Sequence, residues 1–230
     1  MAARPGARDP DSLRLDVDGA ECMRGGARDV LARIEASLAP VARGLPGVRI
    51  HGIPELSRLL SVEGRIGRLA ARLMPGEVRP VRALLFDKSP DTNWALGWHQ
   101  DRVIAVQARR EVPGFGPWTV KRGMQHVAPP FDLLSRMLTL RVHLDPVPND
   151  NAPLLIAPGS HRALVREDAI DAVVSASGTV ACLADAGDVW VYATPILHAS
   201  DAARTPARRR VLQIDYARED LPAGLAWLGV

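Results

Sequence analysis

The spacing of hydrophobic and polar positions changes near residue 80 of this chain. Before that point, apolar residues recur about every 3.6 positions in the segments 27–39 and 61–74. Arginines fill the positions between them in the second segment, and Pro75 and Gly76 end its pattern. This spacing predicts two amphipathic helices in the first third of the chain.

Beyond residue 80, short runs of β-branched and apolar residues alternate with Pro, Gly and Asn, which predicts strands joined by turns. The predicted strands are 81–86, 98–106, 138–144, 153–157, 179–183, 188–193 and 209–216, with shorter pieces near 162–165 and 196–199. The fold class is therefore α+β and mainly β, a β-sandwich or jelly roll with the N-terminal helices packed on one sheet.

The segment 108–134 interrupts this rhythm with a long, irregular stretch that contains scattered aromatic residues. Long loops inside compact domains are often lids or binding loops. We expect a lid-like insertion that contacts the substrate, and a packed surface loop is the alternative.

Two of the predicted strands place polar residues on one face. The polar faces consist of Thr139, Arg141, His143 and Asp145 in one strand, and of Arg209, Val211, Gln213 and Asp215 in the other. A face that is both internal and polar is expected in a barrel that holds a metal and a charged cosubstrate. Ordinary alternation in a half-solvated sheet predicts the same pattern.

The chain has 230 residues, which fits a single domain over 13–230 after a flexible N-terminus at 1–12. No apolar run approaches the ~20 residues of a membrane span, and the first residues do not resemble a secretory signal. The two cysteines, Cys22 and Cys182, match neither a disulfide framework nor a metal-binding spacing. These features predict a cytoplasmic protein without a membrane partner.

The net charge of +3 is small, and lysine occurs only at 88 and 121, so nearly all the cations are arginines. The arginines are dispersed and aromatic residues do not alternate with them, which argues against nucleic-acid binding. We expect a small-molecule substrate and a monomer or homodimer.

Two His-x-Asp pairs are candidate metal ligands, His99-Gln100-Asp101 and His143-Leu144-Asp145. In a strand, side chains two residues apart point to the same face, with their Cα atoms roughly 6.5 Å apart. A second imidazole from His198 would complete the two-His-one-carboxylate set typical of non-haem Fe(II). A single His-x-Asp motif is weak evidence of a metal site, and the spacing alone does not show which of the two pairs would bind the metal.

The order of these motifs resembles the phytanoyl-CoA dioxygenase family of Fe(II)/2-oxoglutarate oxygenases over roughly 80–216. The series runs from His99-Gln100-Asp101 through the segment 150–162, which contains Pro-Gly-Ser-His-Arg, to His198 and Arg209. The resemblance implies a double-stranded β-helix, a cupin-like jelly roll, over 80–217 after a helical lead-in over 13–79. It also implies that iron is held by His99, Asp101 and His198 rather than by the second pair.

The resemblance further implies an arginine about ten residues after the distal histidine, which binds the far carboxylate of 2-oxoglutarate. An arginine suits this role because its charge is permanent and its donors are forked. We predict Arg209, with Arg210 as the second candidate and Arg208 as the third. The weaker candidates for cosubstrate binding are Gln100, Arg141, Lys88 and His143, and the alternative for each is a structural hydrogen bond.

The implied activity uses Fe(II), 2-oxoglutarate and O₂ to hydroxylate a small molecule or thioester, with release of succinate and CO₂. Two alternatives remain: a cupin-like metalloenzyme that does not use 2-oxoglutarate, and a non-catalytic barrel that binds a small molecule. The chain departs from the family at Ala152 and Ala199, where glycine is frequent.

Overall fold

The computed structural model describes residues 9–41 and 47–230. Its helices are α1 (Leu15–Asp18), α2 (Leu31–Leu38), α3 (Pro54–Leu60), α4 (Arg65–Leu73), α5 (Phe131–Ser135) and α6 (Ile170–Ser177). Its strands are β1 (Ala20–Met23), β2 (Val48–Ile50), β3 (Arg79–Lys88), β4 (Leu96–His99), β5 (Ile104–Val106), β6 (Trp118–Lys121), β7 (Met124–Val127), β8 (Leu138–His143), β9 (Leu154–Ile156), β10 (Val180–Cys182), β11 (Val189–Ala193), β12 (His198–Ser200) and β13 (Arg209–Ala217). No helix within these ranges has the length and apolar character needed to cross a membrane.

The larger sheet has six antiparallel strands in the order β1-β11-β8-β13-β3-β2. One of its faces packs against the N-terminal helices through an apolar layer. Leu140, Leu212 and Ile214 of the sheet are buried there with Ile34, Leu56 and Ile66 of the helices. The predicted packing of the helical lead-in on one sheet is therefore correct.

The smaller sheet has four antiparallel strands in the order β10-β9-β12-β4. Its apolar side chains, including Leu154, Ile156 and Val180, form one cluster with Trp190 and Tyr192 of the larger sheet. The two sheets thus face each other around a shared interior, which is the jelly-roll arrangement of a double-stranded β-helix.

The segment 108–134 is more ordered than its sequence suggests. It contains the antiparallel pair β6–β7, and β7 also pairs with β5 to form a third, three-stranded sheet. The prediction of an irregular insertion was wrong in this respect, because Trp118 to Lys121 and Met124 to Val127 form a hairpin around the turn at Arg122 and Gly123. Whether the segment moves as a lid stays a prediction.

The predicted strand 98–106 is in fact two strands in different sheets, β4 and β5. Between β4 and β5, two side chains form hydrogen bonds with the backbone of neighbouring loops. These hydrogen bonds direct the chain from one sheet to the other. Gln100 donates to the carbonyls of Pro195 and Ala163, and Arg102 donates to that of Val165. The strand predicted near 162–165 was wrong, because a 3-10 turn at Ser160–Arg162 is followed there by irregular chain.

The other predicted elements agree with the structure to within a few residues at their ends. The piece predicted near 196–199 corresponds to β12, whereas α3 was not predicted.

Most of the N-terminal segment 1–12, predicted to be flexible, lies outside the described residues. Its end forms a 3-10 turn, Pro10–Ser12, which is capped by Asp9.

Gly67 allows α4 to approach the end of α3 closely. A β-carbon at this position would lie 2.0 Å from the carbonyl oxygen of Ser61, which is backbone and has little freedom to move.

In an ordinary helix a change from glycine to alanine is stabilising by about 1 kcal/mol. We expect Gly67→Ala to be destabilising instead, as measured by urea unfolding. Gly97→Ala is the control, since a β-carbon there meets no atom within 4 Å, and equal behaviour of the two variants would contradict this packing.

Candidate active site

His99 and His198 face each other across adjacent strands. They are direct partners in the antiparallel pairing of β4 with β12, and their ring centroids are 4.2 Å apart. Directly opposite residues in such a pair have the closest β-carbons in a sheet. Strand register alone therefore brings together two imidazoles that are far apart in sequence.

Both imidazoles are oriented by the backbone in the same way. Nδ1 of His99 lies 2.8 Å from the carbonyl oxygen of Gly97, and Nδ1 of His198 lies 3.0 Å from that of Ile196. A carbonyl oxygen only accepts, so each Nδ1 carries the hydrogen and each Nε2 keeps a free lone pair. Burial lowers the pKa of His198 to about 4, so this imidazole is neutral near pH 7 and suited to bind a metal.

Asp101 completes a group of three possible metal ligands. One ligand atom from each of His99, Asp101 and His198 lies within 4.8 Å of the others. No further group of three such residues occurs within 9–41 and 47–230. Asp101 lies just beyond the end of β4 rather than two residues along the same strand. The prediction that His99 and Asp101 point to one face of a single strand was therefore wrong, although the three side chains do converge.

The charge of Asp101 is balanced by Arg82. Nη2 of Arg82 donates to Oδ2 of Asp101 at 2.9 Å, and its Nε donates to Oδ2 of Asp215 at 2.5 Å. Thr139 donates to the other oxygen of Asp215 at 3.0 Å. Burial opposes ionisation of Asp101, but Arg82 and the two histidines hold its pKa at about 2. The carboxylate is therefore charged at physiological pH, with Oδ1 free of these hydrogen bonds.

Behind this group lies a cluster of buried cations formed by Lys88, Arg141 and Arg209. Lys88 and Arg209 are opposite each other in the β3–β13 pairing. Each of the three side chains is at most 5% exposed, and none forms an ion pair within the described residues. Burial, reinforced by Arg209 and Arg141, lowers the pKa of Lys88 to about 8, and burial together with Arg141 lowers the pKa of Arg209 to about 9.

Several polar atoms of the cluster have no partner in the described part of the chain. They are Nε of Arg141, Nε of Arg209 and both ring nitrogens of His143. Burying cations and hydrogen-bond donors without partners is costly. An anion with carboxylate oxygens would satisfy both the charge and the donors, so the interior is suited to such a ligand.

Gln213 connects the cluster to the His-Asp-His group. Its Nε2 donates to Oδ2 of Asp101 at 3.4 Å, while its Oε1 accepts from Nη1 of Arg141 at 2.7 Å. The hydroxyl of Tyr192 also donates to this oxygen, at 3.4 Å. One side chain therefore separates the His-Asp-His group from the cations, and a single small ligand could contact both.

The three consecutive arginines of β13 and its preceding loop have different surroundings. Arg208 pairs with Asp87, and Arg210 pairs with Asp145 and Glu35. Arg209 points into the interior, where its Nη1 donates to the carbonyl of Ala152. Ala152 has a φ of +51°, a backbone conformation that glycine adopts more easily.

The surroundings of Gln100, His143 and Asp145 differ from those of the cation cluster. The amide of Gln100 donates to the carbonyls of Pro195 and Ala163 and accepts from the backbone of Val165, so its hydrogen-bonding groups are already used. His143 is buried without a partner, and burial together with Arg141 and Arg209 lowers its pKa to about 3. The carboxylate of the second His-x-Asp pair, Asp145, binds Arg210 instead of joining a metal group.

Arg82, Gln213 and Tyr192 were not predicted from the sequence as site residues. Gln213 and Asp215 were on the polar face of their strand, and alternation was the signal that could have singled them out. Arg82 follows from the pairing of β3 with β13, which places it opposite Asp215. That pairing is not visible in the sequence.

Arg82 connects two buried carboxylates, so its loss should be costly. Removing one partner of a buried ion pair typically destabilises a protein by about 3–5 kcal/mol. We expect Arg82→Leu to lower the free energy of unfolding of the metal-free protein by about this amount in urea titrations. Arg136→Leu, which removes the ion pairs with Asp132 and Glu219 nearer the surface, should cost about 1 kcal/mol or less. Similar losses in the two variants would contradict the buried network.

Comparison with solved structures reveals the same fold in several proteins. EctD from S. alaskensis with bound Fe superposes with a TM-score of 0.63 at 18% identity, over 88% of this chain and 74% of that one. AviO1 from Streptomyces viridochromogenes Tue57 has a TM-score of 0.59 at 23% identity, over 91% and 93% of the two chains. HygX from Streptomyces hygroscopicus with nickel, 2-oxoglutarate and hygromycin B has a TM-score of 0.59 at 16% identity, over 88% and 84%.

At the level of sequence, no curated protein is significantly similar to this chain. The family profile described as phytanoyl-CoA dioxygenase (PhyH) matches residues 66–211. That range covers well over half of the chain and includes β3 to β12, with the whole His-Asp-His group. The protein therefore belongs to the phytanoyl-CoA dioxygenase family of Fe(II)/2-oxoglutarate oxygenases.

Proposed function

We propose that this enzyme hydroxylates a small molecule, with His99, Asp101 and His198 as the iron ligands and Arg209 as the principal ligand of 2-oxoglutarate. The observation that carries the proposal is the adjacency of two features. A convergent His-Asp-His group lies one side chain away from three buried cations that have no anionic partner. Neither feature alone would select this chemistry.

The donor set fits iron. Two neutral imidazoles and one carboxylate are the ligands that non-haem Fe(II) uses in facial triads, which leave positions open for other ligands. The Nδ1 hydrogen bonds to Gly97 and Ile196 hold the rings with Nε2 free, and Arg82 holds one oxygen of Asp101. Such partners fix the orientation of the first ligands and adjust their basicity.

The cation cluster fits 2-oxoglutarate, whose far carboxylate needs a charged donor at a distance from the metal. Arg209 supplies the forked donor, while Lys88 and Arg141 add charge around it. Arg210 and Arg208 are neutralised by carboxylates, which favours Arg209 among the three. Structures of the same fold that contain 2-oxoglutarate, those of EctD and HygX, support the assignment.

When bound, iron, 2-oxoglutarate and O₂ together supply the oxidising power that inserts oxygen into a C–H bond, with release of succinate and CO₂. The side chains of this protein determine where that happens. Arg209, Lys88 and Arg141 orient the cosubstrate and keep its charge out of water, and Gln213 maintains the spacing between it and Asp101. Because Asp101 would supply a third protein ligand, a halide would have no ligand position to take on the iron, which favours hydroxylation over halogenation.

Substrate contacts are expected from the 108–134 segment, with its β6–β7 hairpin, and from the loop at 149–162.

We also propose that the enzyme is cytoplasmic, acts as a monomer or homodimer, and binds neither nucleic acid nor a membrane. Cys22 and Cys182 are free thiols, which is consistent with a reducing compartment.

A cupin-like metalloenzyme that works without 2-oxoglutarate remains the second candidate. The His-Asp-His group is compatible with such an enzyme. Lys88, Arg141 and Arg209 would then be buried without ion pairs, however, and no ligand would offset the energetic cost of burying them. A non-catalytic barrel is disfavoured because all three metal ligands are present.

The affinity for 2-oxoglutarate should depend on Arg209 and not on its neighbour. With Fe(II)-loaded protein under anaerobic conditions, we expect Arg209→Ala to weaken 2-oxoglutarate binding at least about tenfold, since a charge-assisted pair contributes about 1.5–3 kcal/mol. Binding is measured by calorimetry, and iron content by metal analysis should stay unchanged.

Arg210→Ala is the matched control for this experiment. It removes the adjacent guanidinium from the opposite face of the same strand, so the affinity for 2-oxoglutarate should remain within about twofold of the wild type. Equal losses in the two variants, or binding unaffected in Arg209→Ala, would contradict the assignment and favour the cupin-like alternative.

A further inference from the structure

Lys88 is the member of the buried cation cluster that can most readily give up its charge. It is 5% exposed, and it lies opposite Arg209 in the β3–β13 pairing. Arg141 is the third member of the cluster. A buried ammonium loses its proton more easily than a guanidinium, whose charge is delocalised. The cluster therefore combines two arginines with one cation whose protonation can change.

The hydrogen-bond partners of Lys88 suit both of its protonation states. Nζ donates to the carbonyl oxygen of Trp94 at 2.7 Å and to the hydroxyl of Ser200 at 3.3 Å, and it lies 4.4 Å from the centroid of the Trp94 ring. An ammonium has three N–H donors, so the neutral amine, which has two, still satisfies both acceptors. None of these partners carries a negative charge, so none of them retains the proton as a carboxylate would.

The charges that face Lys88 from the neighbouring elements are mostly positive. Burial lowers its pKa to about 8, and Arg209 from β13 and Arg141 from β8 contribute to this lowering. His143, also on β8, is neutral near pH 7, because burial lowers its pKa to about 3. Asp201, just after β12, acts in the opposite direction on Lys88, but it is exposed and solvent screens its charge. In the free protein, Lys88 is therefore partly a neutral amine in mildly alkaline solution.

A dicarboxylate bound at the cluster would reverse this balance. A carboxylate within about 4–6 Å of a lysine favours the charged form, so the pKa of Lys88 would rise when the anion binds. A group whose pKa rises on binding takes up a proton, and the affinity then depends on pH between the two pKa values. The affinity is therefore full below about pH 8 and falls as the pH rises above that value.

We infer that Lys88 couples the binding of 2-oxoglutarate to the uptake of a proton, so that the affinity for this cosubstrate falls in alkaline solution. The inference rests on the proposed function, because it concerns the cosubstrate assigned to this cluster. Three permanent charges would bind the same anion without this dependence on pH. The lysine thus makes the cosubstrate site sensitive to pH.

Calorimetry of the Fe(II)-loaded protein under anaerobic conditions measures both effects. At pH 8, 2-oxoglutarate is titrated in HEPES and in Tris, whose heats of ionisation differ, and the difference in binding heat gives the number of protons taken up. We expect about half a proton per cosubstrate in the wild type, because a group with a pKa of about 8 is half charged at this pH. Between pH 7 and pH 8.5, the affinity should fall about fourfold.

The chain has only two lysines, Lys88 and Lys121, and the second provides a matched control. Lys88→Arg keeps a cation but removes the group that titrates, so its affinity should change less than about 1.5-fold between the two pH values. Lys121→Arg alters an exposed lysine at the end of β6 and should behave as the wild type does. Thermal unfolding and iron content identify any variant that is misfolded.

A second measurement depends neither on the cosubstrate nor on the folding of Lys88→Arg. Protein labelled with ¹⁵N in its lysine side chains gives two Nζ signals in NMR spectra of the iron-free full chain. The signal that persists in Lys121→Arg belongs to Lys88. We expect it to titrate near pH 8 rather than near the ~10.4 of an ordinary lysine.

Titration of the Lys88 signal at the ordinary value would overturn the inference. Equal affinity of the wild type at pH 7 and pH 8.5, or an equal fall in the wild type and Lys88→Arg, would also overturn it. If the wild type does not bind 2-oxoglutarate at pH 7, the proposed function itself is contradicted. Binding without proton uptake contradicts only the role of Lys88.

Discussion

The register of β13 between β8 and β3 determines which charges enter the interior of the sandwich. It places Asp215 opposite Arg82 and Thr139, Gln213 opposite Arg141, and Arg209 opposite Lys88. A shift by one residue would turn all of these side chains toward the apolar layer under the helices. Leu212 and Ile214, on the other face of β13, are fully buried in that layer and so maintain the register.

Charge balance inside the sandwich divides it into two parts. Near the His-Asp-His group, the single cation Arg82 lies between the two carboxylates Asp101 and Asp215, so the charges in this part are paired within the protein. Toward the end of β3, Lys88 and Arg209 have no carboxylate partner in the described chain. The protein thus carries the electrostatic cost of buried, unpaired cations in the free state, and a dicarboxylate bound at this cluster, as we propose, would relieve it.

The sequence was sufficient to predict the fold class and most strands, and its motifs singled out the three residues that converge as the His-Asp-His group. Alternation in 138–145 and 209–216 correctly indicated one polar interior face. The order of the His-x-Asp, Pro-Gly-Ser-His-Arg and distal histidine motifs indicated the phytanoyl-CoA dioxygenase family. These motifs are recognisable because iron chemistry requires a particular set of ligands. The site residues Arg82 and Tyr192 were not predictable, since their roles depend on strand pairing between segments far apart in sequence. The break after His99 was also missed, because side-chain hydrogen bonds from Gln100 and Arg102 override strand propensity there.

The most direct test of the central claim is the visible absorption spectrum of the Fe(II)-loaded protein as 2-oxoglutarate is added without oxygen. A chelate formed by the cosubstrate on the iron gives a weak charge-transfer band. The account predicts this band in the wild type and its absence in His99→Ala. Iron bound to the wild type with no band after addition of 2-oxoglutarate would contradict it.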